Sequence, residues 1–125
     1  MTQITEDYCS FETAKLLKEK GFDEECNMAY FNGTLVDYTM FGFCLGGDLL
    51  YCPTLQMAMK WLREVHYCVI CITPLTFYCG EIASNWGYCI WADDNTEVDE
   101  ESSPRLESYE EACEAAIKYC LEKLI

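Results

Sequence analysis

The side chains best equipped for chemistry in this chain are its thiols. Ten cysteines occur in 125 residues. The densest group is Cys68-Val69-Ile70-Cys71, with the only histidine, His66, just before it and Cys79 and Cys89 further on. Cysteine and histidine together suggest zinc, which takes four converging ligands, usually from tight turns. The local sequence argues otherwise. Val69 and Ile70 are β-branched, and neither Gly nor Pro bends the chain between the two thiols. Residues three apart in a strand face opposite sides, so Cys68 and Cys71 do not share a metal. A thioredoxin-like pair fails similarly, because that motif opens a helix. The favoured reading is that these thiols are small apolar groups filling a core. Neither a metal nor a cofactor is expected.

Other constellations are weaker. Asp93, Asn95, Glu97 and Asp99 alternate as oxygen ligands could, but a calcium loop of the EF-hand kind needs Gly at its sixth position and Glu at its twelfth. Counted from Asp93, those places hold Val98 and Pro104. A solvated acidic loop is the simpler account. With one histidine, any Cys–His or Ser–His couple must use His66, which sits at a helix-to-strand junction. Gly46-Gly47 lacks the lysine and the following helix start of a phosphate loop. The aromatic set Trp86, Tyr88 and Trp91, with Phe77 and Tyr78 nearby, is different. If one face of it were open, it would form an apolar patch of the kind that marks interfaces. The plainer alternative puts Trp86 and Tyr88 in one layer and Trp91 in the other. Trp86, Tyr88 and Trp91 are the candidate binding residues.

Composition narrows the classes. The net charge is −14. Nucleic acid and anionic membrane surfaces are therefore not expected partners, since both demand positive surface. No apolar run approaches the roughly 18 residues of a spanning helix. The opening residues, Met1 to Asp7, are polar and acidic rather than signal-like. A reducing, cytoplasmic compartment is expected, and with it thiols rather than five bridges.

The elements that position these residues can be read in order. Ser108 to Ile125 is an amphipathic helix: Tyr109, Ala112, Cys113, Ala116, Ile117, Cys120, Leu121 and Leu124 form one stripe. Ser108 caps it, and Glu111 can reach back to the amide of Ser108. A first helix, Phe11 to Lys20, starts at Ser10 and ends at Gly21, with Phe11, Ala14 and Leu17 sharing a face. A hairpin follows, Met28–Phe31 and Thr34–Phe43 around Asn32-Gly33. Gly46-Gly47-Asp48 opens a loop that leads to Pro53, and Thr54 caps a second helix from Leu55 to about Val65. Strands are expected at 67–73, 75–83 and 86–92, then an acidic loop at 93–107. The result is one α+β domain over residues 1–125. Its order is α-β-β-α-β-β-β-α, with a mostly antiparallel five-stranded sheet and three helices, because strands joined by short turns run antiparallel.

This layout resembles that of small proteins encoded by bacteriophages and prophage-like regions of gut bacteria, and more distantly the phage αβα-sandwich domain. The likeness rests on Pro53-Thr54 through Ala58 to Trp61-Leu62, the strands after it, and Ser108-Tyr109-Glu110-Glu111-Ala112 through Ala116 to Leu121. It covers about residues 53–125 and implies a cytosolic, mobile-element origin and a layered fold. It carries no catalytic residues, and ten cysteines are unusual for that group.

The expected function is that of a small acidic protein-interaction protein rather than an enzyme. It would bind a partner or self-associate through the aromatic sheet region or a sheet edge, or act as an acidic decoy that imitates nucleic-acid charge and occupies a basic groove on a partner protein. Residues 93–111 hold nine acidic side chains against Arg105, −8 of the total of −14. The alternative is a small-molecule binder or enzyme with a pocket between helix and sheet and a reactive thiol such as Cys44 or Cys79.

Overall fold

The computed structural model describes residues 6–37, 49–74, 85–91, 97–98 and 106–125. Its contacts divide into two compact units, Met1–Ala58 and Met59–Ile125. The first holds helix α1 (Phe11–Glu19), strands β1 (Met28–Phe31), β2 (Thr34–Asp37) and β3 (Leu49–Tyr51), and the start of helix α2 (Leu55–Val65). The second holds the rest of α2, strands β4 (Val69–Pro74), β5 (Trp86–Trp91) and β6 (Glu97–Val98), and helix α3 (Tyr109–Tyr119). A π-helical turn, Cys120–Leu124, extends α3. The class is α+β, with three helices and antiparallel strands among the described residues. No described helix is long and apolar enough to cross a membrane.

In place of the one five-stranded sheet expected, the described strands form two sheets of three, ordered β2-β1-β3 and β4-β5-β6. Two short strands account for much of the difference. Leu49–Tyr51 was expected to be loop, yet it pairs with β1, Phe31 opposite Leu49 and Ala29 opposite Tyr51. Glu97–Val98 falls in the expected acidic loop but pairs with the end of β5. Both partners lie on the free edge of a strand already placed, where main-chain N–H and C=O groups need hydrogen bonds. The expected strand at 75–83, residues 38–43 of the hairpin's second strand and Gly46-Gly47-Asp48 lie outside the described residues.

In the first unit, local chemistry fixes each element. The Ser10 hydroxyl accepts the Thr13 amide at 3.2 Å, a cap that contributes about 1 kcal/mol. At the other end the Phe22 amide reaches the Leu17 carbonyl at 2.9 Å, and the Gly21 amide reaches that of Lys18 at 3.1 Å. This is a Schellman closure, with Gly21 at φ 101° and Phe22 buried as Leu17 is. In the hairpin Asn32 and Gly33 both have positive φ, 50° and 84°, as a type I′ turn requires. Residues 6–9 carry little sequence signal, yet they act as a clasp. The Cys9 amide donates to the Pro53 carbonyl at 3.1 Å, and the Leu55 amide donates to the Asp7 carbonyl at 2.9 Å. Thr54 caps α2 through the Met57 amide, as expected.

The second unit is built on α3. Ala112, Cys113, Ala116, Ile117, Cys120 and Leu121 of the stripe read from the sequence are buried, Tyr109 and Leu124 at its ends are half-buried, and α3 packs against β4 and β5. Ser108 accepts the Glu111 amide at 3.1 Å. The returning bond differs from expectation: Glu111 Oε2 accepts the amide of Glu107, not that of Ser108. Its effect is the same, since it satisfies a main-chain donor ahead of the first turn.

Candidate functional site

Strand β5 alternates, so its side chains sort onto two faces. Trp86, Tyr88 and Ile90 take the face that α3 covers. The Trp86 ring meets Tyr109 edge-on at 5.6 Å, and the Tyr88 ring lies 6.4 Å from that of Tyr119. Ile90 is fully buried and Tyr88 is 9% exposed. The other face carries Cys89 and Trp91 from β5, with Val69, Cys71 and Thr73 from β4 opposite them. Here Trp91 is 40% exposed and its cross-strand partner Val69 is 38% exposed. The candidate trio is thus divided. Trp86 and Tyr88 make ring contacts with α3, and Trp91 is the most exposed of the three.

Sequence reasoning missed the exposure of two residues before and within β4, Tyr67 and Val69. Both fall in the strand expected at 67–73. Tyr67 instead follows the end of α2 with φ 58° and is 64% exposed. A bulky side chain in this left-handed region costs of order 1–3 kcal/mol. The bonds around it hold the conformation: the amides of His66 and Cys68 both donate to the Leu62 carbonyl, at 3.1 and 3.0 Å. Only the strand register reveals Val69 across from Trp91, and only this helix end reveals Tyr67; neither leaves a mark in composition.

The two cysteines of the Cys68–Cys71 segment part company, as alternation requires. Cys68 precedes β4 and is buried, in hydrogen-bond contact with the Cys120 thiol. Burial foremost, then the charge and hydrogen bond of Cys68, pushes the Cys120 thiol well above its ordinary range. Cys68 Sγ also donates to the main-chain carbonyl of His66 at 3.6 Å. The imidazole itself turns to Trp61, ring centres 4.7 Å apart, and Nε2 is buried without a hydrogen-bond partner among the described residues. A thiol that contacts the main chain of His66 gains no base from its ring. Cys71 lies on the opposite face, directly across from Cys89. Among the described residues no three Cys, His, Asp or Glu side chains gather closely enough to hold a metal ion. Cys44, Cys79, Phe77, Tyr78 and, apart from residues 97–98, the stretch 92–105 lie outside the described residues.

No family model, curated protein or solved structure matches this chain. Function must therefore be argued from the sites alone.

The first unit contributes a second site. A groove of about 450 Å³ runs along α1, lined by Phe11, Lys15, Lys18, Tyr30, Leu49 and Leu50 among others. Phe11 was expected to share the buried face of α1, but it is exposed and meets Tyr30 edge-on at 5.3 Å. The Tyr30 hydroxyl is held by the Cys9 carbonyl at 3.1 Å. An adjoining hollow of about 380 Å³ shares Lys18, Leu49 and Leu50. Lys15, Lys18 and Lys20 supply three of the eight basic residues of the chain, so this helix departs from the acidic balance elsewhere.

Proposed function

We propose that this is a small cytoplasmic protein-interaction protein that associates through the open face of its second sheet. The observation that carries the reading is the exposed cross-strand pair Val69–Trp91, with Tyr67 exposed nearby in the chain. Large aromatic groups left in water beside apolar neighbours are the usual anchors of interfaces. Charge favours a second copy as the partner. From Val65 to Trp91 the chain contains no Lys or Arg, and Glu81 is its one acidic residue. Two molecules of net charge −14 repel one another over most of their surface, and this stretch contributes almost nothing to that repulsion. The decoy reading rests on charge alone and is set aside.

Sedimentation equilibrium over a range of protein and salt concentrations tests the proposal. Wild type is expected to form a reversible dimer, and Trp91→Glu to weaken it by at least about tenfold, or 1.4 kcal/mol. A sedimenting species that stays monomeric throughout, in protein that also retains no partner from a lysate at low salt, would remove the basis for the reading.

A specific observation favours a second reading. The groove along α1 joins two aromatic rings and an aliphatic floor to two lysines and one carboxylate, Glu19, a net positive lining that suits a small amphipathic anion. An anilinonaphthalene sulfonate is a fitting probe. Its fluorescence is expected to rise on binding, with the affinity reduced at least about tenfold in the double variant Lys15→Glu, Lys18→Glu. Equal binding by the double variant would place the dye elsewhere.

A further inference from the structure

We propose that Cys71 and Cys89 are a thiol–disulfide exchange site that closes into a reversible cross-strand disulfide, with a low-molecular-weight disulfide such as oxidised glutathione as co-substrate. The site shares its face with the association proposed above, so the exchange is that of the dissociated chain and is tested at protein concentrations where the chain is monomeric. Three observations carry it. The two residues are direct partners in the β4–β5 register. They share the face that α3 does not cover, and both are half-buried rather than sealed. Their neighbours on that face, Val69 and Trp91, are exposed, so a reagent has a route to the sulfurs.

The pairing type can be worked out from the main chain. Trp86 exchanges both of its main-chain hydrogen bonds with Leu106, at 2.8 and 3.0 Å. Residues 86, 88 and 90 therefore turn their N–H and C=O groups toward that side, and 87, 89 and 91 turn theirs toward β4. Cys71–Cys89 is a hydrogen-bonded pair, for which the Cα atoms lie about 5.5 Å apart, inside the disulfide window. The Cβ atoms of such a pair lie near the upper end of about 4.5–5.5 Å, whereas a disulfide wants about 3.5–4.5 Å. The strands must draw together to close the bond. A bond made under that strain is readily reduced, which is why it is reversible rather than structural.

The reaction balances as two exchanges. The thiolate of Cys71 or Cys89 attacks a sulfur of the small disulfide, breaking its S–S bond, forming a mixed disulfide and releasing one thiolate. The facing protein thiol loses its proton to solvent and attacks the protein sulfur of the mixed disulfide, releasing the second small thiolate. The two released thiolates take up the two protons lost by the protein. The protein is oxidised by two electrons and the small disulfide is reduced to two thiols. Other described thiols are poor competitors. Cys68 and Cys120 touch but are buried. Cys26 is pushed up to about 11, by burial first and then by Glu24 and Glu25, so it carries little thiolate near neutral pH.

The test is exposure of native protein to excess oxidised glutathione, acid quench, alkylation of residual thiols and peptide mass mapping. The expected result is a linked pair of peptides containing Cys71 and Cys89, lighter by two hydrogens and restored by reduced glutathione. In Cys89→Ser the glutathione adduct on Cys71 is expected to accumulate instead of resolving. The mapping of wild type does not depend on that variant's folding. Persistent glutathione on Cys71 or Cys89 of wild type, linkage of either to a different cysteine such as Cys79, or no reaction at both positions would each overturn the proposal.

Discussion

Replacing Ile117 with alanine is expected to lower the unfolding free energy by about 2–5 kcal/mol. Ile117 lies at the middle of the buried stripe of α3 and has no measurable exposure. Its neighbours on the stripe, Cys113, Ala116, Cys120 and Leu121, are equally sealed. The removed atoms lose their transfer energy, and the space they leave is lined by groups that relax only in part. The size of the loss matters because domains of this kind have about 5–15 kcal/mol in total. Urea unfolding followed by helical circular dichroism measures it, with the exposed Lys123→Ala as a control expected within about 0.5 kcal/mol of wild type. An Ile117→Ala protein within about 1 kcal/mol of wild type would mean that α3 does not pack as described.

The same stripe shows how far the sequence could be read. A repeat of apolar side chains at helical spacing is a local property, so α1, α2 and α3 were legible with their caps at Ser10, Thr54 and Ser108. The Asn32-Gly33 turn was legible for the same reason, since its backbone demand is met by two adjacent residues. Pairing across long sequence separations was not. Leu49–Tyr51 is too short to announce itself, and its partner β1 lies about twenty residues earlier. Glu97–Val98 sits in an acidic run whose composition reads as loop. The candidate sites divide in the same way. Alternation correctly placed Trp86 and Tyr88 opposite Trp91, and Cys68 opposite Cys71. What lies across from each was invisible, because register relates two strands and no single segment encodes it. Cys71 facing Cys89, and Val69 facing Trp91, are facts of register. The groove beside Lys15 and Lys18 is lined by Leu49 and Leu50, which reach it only because β3 pairs with β1.

Stability is expected to fall as the solution becomes alkaline, and Cys120 is expected to account for a separable part of the fall. Burial, then the adjacent Cys68, holds the Cys120 thiol neutral in the folded chain far above the pH at which a free thiol ionises. In the unfolded chain the same thiol ionises at about pH 8.5. Below that value both states keep the proton, and the group has no pH dependence to contribute. Above it the unfolded state has lost a proton that the folded state keeps, so unfolding is favoured as pH rises. The slope for one such group is about 1.4 kcal/mol per pH unit. Between about pH 8.5 and pH 10 the loss reaches about 2 kcal/mol, before tyrosine and lysine ionisation enters. The measurement is urea unfolding of wild type and Cys120→Ala at several pH values across that range. Removing the thiol shifts the whole curve by a constant for its lost packing, and it also flattens the alkaline limb by about one proton's slope. The difference between the two curves isolates Cys120, together with its coupling to Cys68, from the other titrating groups. Curves that stay parallel up to about pH 10 would show that the folded state lets this thiol ionise as freely as the unfolded chain does, and that the α3 interface is open to water there.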